Sequence, residues 1–163
     1  MEKRESGFSL IELLIAMAII GILAAIAIPN LLTAVQRGKQ KRTMSDMRAL
    51  ATAIEAYAVD QNQYPVATSC PTGVTGMIGS VGAIDAASFS LLSPTYVSQP
   101  QKMDGWGNFF QYANDSSNYV ILSTGSDRTR QGLTSNCGTT TDFNNDIVYA
   151  DGSFVQWPEG VQR

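Results

Sequence analysis

The chain has 163 residues, of which 44% are hydrophobic, and a net charge of −3. That length holds one domain with a modest core, and the lack of a basic surplus argues against nucleic acid as a specific partner. Histidine is absent, which removes the commonest general base and metal ligand.

Residues 8–28 read FSLIELLIAMAIIGILAAIAI, between Gly7 and Pro29. About 21 residues at 1.5 Å rise make roughly 31 Å of helix, the hydrocarbon thickness of a bilayer. The one charge in the run is Glu12. A carboxylate at membrane depth is costly, which marks it as a functional residue with a partner to be found. The run is longer than a secretory signal core of about 7–15 residues. Gly21 and Pro29 interrupt it. Proline lacks an N–H and clashes with the carbonyl four residues back, here Ala25, so a kink or local melting is expected. A single helical anchor carrying one small soluble domain is the simplest picture.

Gly7 followed by Phe8, Ser9, Leu10, Ile11, Glu12, Leu13 and the apolar run to Pro29 resembles the N-terminal signature of the type IV pilins and type II secretion pseudopilins. The resemblance implies a leader of residues 1–7, removed by a prepilin peptidase that cuts after Gly7 and methylates the new amine of Phe8. It implies a transmembrane and assembly helix over residues 8–28 and polymerisation of identical subunits by an inner-membrane assembly platform. Phe8, Glu12, Gly21 and Pro29 are then the assembly residues. Glu12 would neutralise the Phe8 amine, either within one helix, where the two lie four apart, or on a neighbouring subunit, where pairing offsets much of the cost of burying a charge. In related filaments the stretch between Gly21 and Pro29 can lose helicity. The flanking charges alone point the other way. Glu2 and Glu5 offset Lys3 and Arg4 in the leader, whereas Arg37, Lys39, Lys41 and Arg42 follow the run, so the positive-inside rule favours the opposite orientation. The family places the N-terminus in the cytoplasm and the domain in the periplasm.

The helix is expected to continue amphipathically over residues 29–62. Met44, Met47, Ala51, Ile54 and Ala58 form an apolar stripe at spacings of three and four, with Arg48, Thr52 and Glu55 opposite. It should end before Tyr64-Pro65, since the residue ahead of a proline is biased out of the helical region. Residues 63–163 then form a globular head. Residues 65–103 read mostly as loop, with Met77, Ile78 and Val81 against the core and a short helix from Asp85 through Ala86, Phe89 and Leu92, stopped by Pro94.

Asp104-Gly105-Trp106-Gly107-Asn108 marks a tight turn. Residues 109–113 and 118–123 read as a hairpin, and residues 147–150 and 153–157 as a second one around Asp151-Gly152. The expected class is α+β: a pilin-like long N-terminal helix, transmembrane in its first half, packed on an antiparallel sheet of about four strands. The turn, with Phe110-Gln111-Tyr112 after it, is similar to the D-x-W-G-N-P-x-x-Y turn of major pseudopilins, with Phe109 in place of the proline. Its plainer role is a structural turn with a buried tryptophan.

The loop between Leu122 and Asp151 is rich in oxygen donors: Ser123, Thr124, Ser126, Asp127, Asp142, Asn144, Asn145 and Asp146. Calcium takes six to eight hard oxygens. The loop is not an EF-hand, because Ile147 and Ser153 stand where glycine and glutamate are needed. Major pseudopilins bind calcium in the corresponding loop, which points to the Thr124 carbonyl, Asp127 and Asp146 as calcium ligands. The stretch over residues 128–145 is longer than the family loop and contains Cys137. Calcium binding and a plain polar turn both stay open, and no other cofactor is required. A periplasmic head would sit in an oxidising compartment, where Cys70 and Cys137 would form a disulfide; two buried thiols are the alternative.

No nucleophile motif or Gly-rich phosphate loop is present, so an enzyme is not expected. Three readings follow: the major pseudopilin of a type II secretion system, a type IV pilin for adhesion, motility or DNA uptake, or a membrane-tethered binding domain that never polymerises.

Overall fold

The structure is a computed structural model in which residues 7–65, 82–83, 90–114, 118–131 and 138–159 are described. Helix α1 spans Leu10–Gln61. The chain divides into two compact units, Met1–Arg37 and Gly38–Arg163.

In the first unit the helix begins where Ser9 sits outside it, and the Leu13 N–H reaches the Ser9 carbonyl at 3.3 Å. It is helical through Gly21 and Pro29. The Pro29 carbonyl accepts from the Thr33 hydroxyl at 3.0 Å. Of the kink or local melting expected at Pro29, local melting is not seen in the isolated subunit. The proline removes one N–H donor, and the turns on either side supply enough bonds to carry the helix past it. Every large apolar side chain from Phe8 to Val35 is exposed.

In the second unit α1 buries Met44, Met47, Leu50, Ala51, Ala53 and Ile54. The predicted stripe holds, with Ala58 half-buried at its end, while Arg48, Thr52 and Glu55 are exposed. The helix stops at Gln61 because Asn62 turns left-handed, φ 52°, a conformation asparagine tolerates just past a helix end.

Strands β1 (Gly82–Ala83), β2 (Gln111–Asn114), β3 (Tyr119–Ser123), β4 (Gly138–Thr140), β5 (Ile147–Ala150) and β6 (Ser153–Pro158) form one sheet in the order β1-β2-β3-β5-β6-β4. The expected α+β arrangement is present; among the described residues the sheet has six strands rather than about four, and β4 runs parallel to β6. Both added strands are short runs of glycine, alanine and threonine at the sheet edges, without the alternation that reveals a strand in sequence. The two predicted hairpins are present. Asp151 and Gly152 have φ 48° and 85°, the twin positive values of a type I′ turn.

Strand alternation sorts the core. Tyr112, Ile121, Tyr149 and Phe154 are successive cross-strand partners and pack with Met44, Met47 and Ile54 on the helix side. Ala113, Val120 and Ala150 form the matching row on the other face, with Leu122 and Val148. Full burial of each large side chain contributes roughly 1.5–3 kcal/mol. Both faces of β3 and β5 are buried, more than a sheet covered only by one helix requires. Residues 90–92 are helical and Leu92 is buried. The rest of the helix expected from Asp85, and Met77, Ile78 and Val81, lie outside the described residues.

Candidate functional site

Glu12 is on the third residue of α1, and its Oε2 accepts the Ser9 N–H at 2.8 Å. Ser9-Leu10-Ile11-Glu12 is thus the returning arm of a capping box, which satisfies one of the donors a helix start leaves open. The S-x-x-E spacing carries this signal in the sequence, beside the four-residue spacing that points to a Phe8–Glu12 pair. Gly7 and Phe8 precede the helix, and Phe8 is 82% exposed. Gly21 and Pro29 lie on its exposed stretch.

The turn at residues 104–108 is built on Asp104, which is 4% exposed. Its Oδ1 accepts from the N–H groups of Trp106 (2.9 Å) and Asn108 (2.8 Å). Its Oδ2 accepts from the Asn108 amide (3.2 Å) and the Ser123 hydroxyl (2.8 Å). The Asn108 amide also donates to the Gly125 carbonyl at 2.8 Å, tying the turn to the acidic loop. Gly105 donates its N–H to Thr43 Oγ1 at 2.9 Å. A Cβ on Gly105 would lie 2.5 Å from the Lys39 carbonyl oxygen, so only glycine lets the turn sit this close to the helix. The buried residue is the aspartate; Trp106 is half-buried.

The acidic loop brings two of the expected calcium ligands to one residue, Gln131. Its backbone N–H donates to Asp146 Oδ2 at 2.9 Å and its side-chain amide to Asp127 Oδ2 at 3.0 Å. Asp127 Oδ1 accepts from the Thr129 N–H at 2.9 Å. Asp146 is buried, as is Thr124, whereas Asp127 is exposed. The Asp146 carbonyl accepts from Gln156 at 2.8 Å, anchoring the loop to β6. Asp142 caps its own turn through the Asn144 N–H at 2.9 Å. Among the described residues no three acidic, histidine or cysteine side chains converge. Two carboxylates and a carbonyl fall short of the six to eight oxygens calcium takes, so the described residues by themselves do not fit the ion. Cys70 and Cys137 lie outside the described residues.

A part-buried polar contact couples helix to sheet: the Tyr119 hydroxyl donates to Glu55 Oε1. Burial, and secondly this bond, push the Tyr119 hydroxyl far above the ordinary tyrosine range. Nothing local in the sequence pairs residues so far apart.

Residues 3–28 match the prokaryotic N-terminal methylation motif, and residues 30–142 match the family model of type II secretion system (T2SS) protein G. The chain belongs to the type II secretion system protein G family. The chain is 31% identical to the type II secretion system core protein G of Aeromonas hydrophila over 145 residues, 88% of this chain and 94% of the relative. The Vibrio cholerae core protein G is 27% identical over 145 residues, 88% of this chain and 92% of the relative. The type IV major pilin protein PilA of Myxococcus xanthus is 48% identical over 61 residues, 37% of this chain and 28% of that pilin. No solved structure matches. Within the protein G family, residues 8–35 are the part of this chain whose apolar side chains have no cover of their own, on a helix long and apolar enough to cross a membrane.

Proposed function

We propose that this protein is the major pseudopilin of a type II secretion system, a structural subunit whose periplasmic filament helps drive folded proteins through an outer-membrane channel. It is held in the inner membrane by residues 8–28, with residues 1–7 cytoplasmic and the head periplasmic. A prepilin peptidase cuts after Gly7 and the amine of Phe8 is methylated. The observation that carries the reading is the unbroken exposure of the apolar side chains from Phe8 to Val35, directly behind the Gly7–Glu12 signature in a protein G family chain.

The assembly chemistry follows from what Glu12 has before and after cleavage. Before it, the carboxylate holds a backbone N–H of its own helix start. Cleavage adds a cationic amine at Phe8. A pair of two full charges is stronger than a carboxylate's bond to a neutral N–H, most of all in a low dielectric. A neighbour's Glu12 docking on that amine selects one register among subunits. Replacing Glu12 with leucine is expected to leave membrane insertion intact and to abolish filaments and secretion; normal filaments from the variant would refute the role. A second reading, a type IV pilin, is favoured by the 48% identity to PilA over its shorter match. Electron microscopy of cells making the unaltered chain separates the two: periplasmic filaments support the first and surface fibres the second.

A further inference from the structure

Four large hydrophobic side chains of the described head are exposed: Val59, Leu91, Met103 and Phe109. Two of them share one feature. Met103 and Phe109 are opposed on an isolated antiparallel bridge at the neck of the Asp104 turn, and are 43% and 50% exposed. Directly opposed residues project to the same side, so they form one apolar patch, with half-buried Trp106 in the turn between them. The turn's place is fixed: Gly105 is pressed against the backbone of Lys39 and bonded to Thr43. The patch therefore lies at the Lys39 end of the head's helix. That end is cationic. Lys41, Arg42 and Lys102 are exposed and Lys39 is half-buried. Between Glu12 and Asp46 the chain has no acidic residue. Asp46 faces Arg42 at 3.5 Å, so one carboxylate stands against the four cations at this end. The buried Asp104 spends its oxygens on Trp106, Asn108 and Ser123. Lys39 follows Val35, the last exposed large apolar residue of the anchor stretch, by four positions.

We propose that the Met103–Trp106–Phe109 turn, with Lys39, Lys41, Arg42 and Lys102, is a contact surface for an anionic lipid bilayer. An interfacial site wants apolar side chains at the acyl boundary, an indole at headgroup level and cations against lipid phosphates; this end of the head presents all three. It holds the head on the membrane before assembly. The proposal rests on the reading of residues 8–28 as a membrane anchor.

The test uses the full chain carrying Trp157→Phe, which leaves Trp106 as the one tryptophan of the original two. It is reconstituted into vesicles of phosphatidylcholine alone, or mixed with phosphatidylglycerol, with brominated acyl chains as quencher. Trp106 emission is expected to be quenched in the anionic vesicles and much less in the neutral ones. The Lys41→Gln/Arg42→Gln and Met103→Ser/Phe109→Ser pairs, all exposed positions, should each lose the quenching while circular dichroism is unchanged. Salt at about 1 M, where the Debye length is roughly 3 Å, should lose it too. Equal quenching in both vesicle types, unaffected by either pair, in a chain that still floats with the vesicles, overturns this proposal alone. Quenching that falls on diluting protein at fixed lipid overturns it in favour of a second copy of the chain. A chain that does not float with vesicles defeats the anchor reading and this proposal together.

Discussion

Removing the Asp104 carboxylate strips the acceptor from two backbone N–H groups, the Asn108 amide and the Ser123 hydroxyl at one buried spot. Stranding buried donors costs about 1–3 kcal/mol each when nothing replaces the acceptor, and relaxation of the turn recovers part of it. Asp104→Ala is expected to destabilise the head by about 3–5 kcal/mol in denaturant unfolding of the detergent-solubilised chain, among the larger single-residue effects. Asp104→Asn keeps one carbonyl acceptor and should cost less than half as much. The D-G-W-G-N string announced a turn. Its aromatic residue is the larger, yet the short acidic side chain holds the turn, because only a carboxylate offers enough lone pairs in so small a space.

Among the elements, the acidic loop is the one whose chemistry the spacing of Asp127, Asp142 and Asp146 left open. As folded, Gln131 donates to both Asp127 and Asp146, and Gln156 fastens the loop to β6. The stabilisation of the described loop then rests on amide donors. Added calcium or chelator is expected to move the melting temperature by less than Gln156→Ala, which removes the buried amide bond to the Asp146 carbonyl, as read by differential scanning calorimetry. A large calcium-dependent rise would show that residues outside those described complete an oxygen cage. Helix α1 and the two hairpins were legible because each announces itself by its own period: three to four for the stripe from Met44 to Ile54, two for the strands, Asp-Gly for the turn. β4 was not, since Gly138-Thr139-Thr140 acquires strand geometry only from pairing with Gln156, Trp157 and Pro158.

At the scale of the whole head, stability is tied to tyrosines that must stay neutral. Burial raises the hydroxyls of Tyr112 and Tyr119 far above their ordinary range, and the Glu55 bond adds to it for Tyr119. Below about pH 10 the folded and unfolded chains both keep these protons, and the full stability is present. As pH rises past that value the unfolded chain ionises while the folded one does not, so stability falls by up to about 1.4 kcal/mol per pH unit for each tyrosine. Unfolding midpoints are expected to be flat near neutral pH, where the chain has no histidine to titrate, and to drop above pH 10. Tyr119→Phe should make the drop shallower. An unchanged midpoint up to pH 11.5 would count against the Tyr119–Glu55 contact.

The apolar N-terminal run, the helix stripe, the hairpins and the family signature could be read from neighbouring residues, because each needs only a period or a spacing. The six-strand order, the Asp104 hub, the Tyr119–Glu55 bond and the apolar, cationic end of the head belong to the tertiary structure. Each joins residues tens of positions apart. Which buried donor meets which acceptor is decided only when the helix and sheet close on one another and exclude the water that would otherwise have served both.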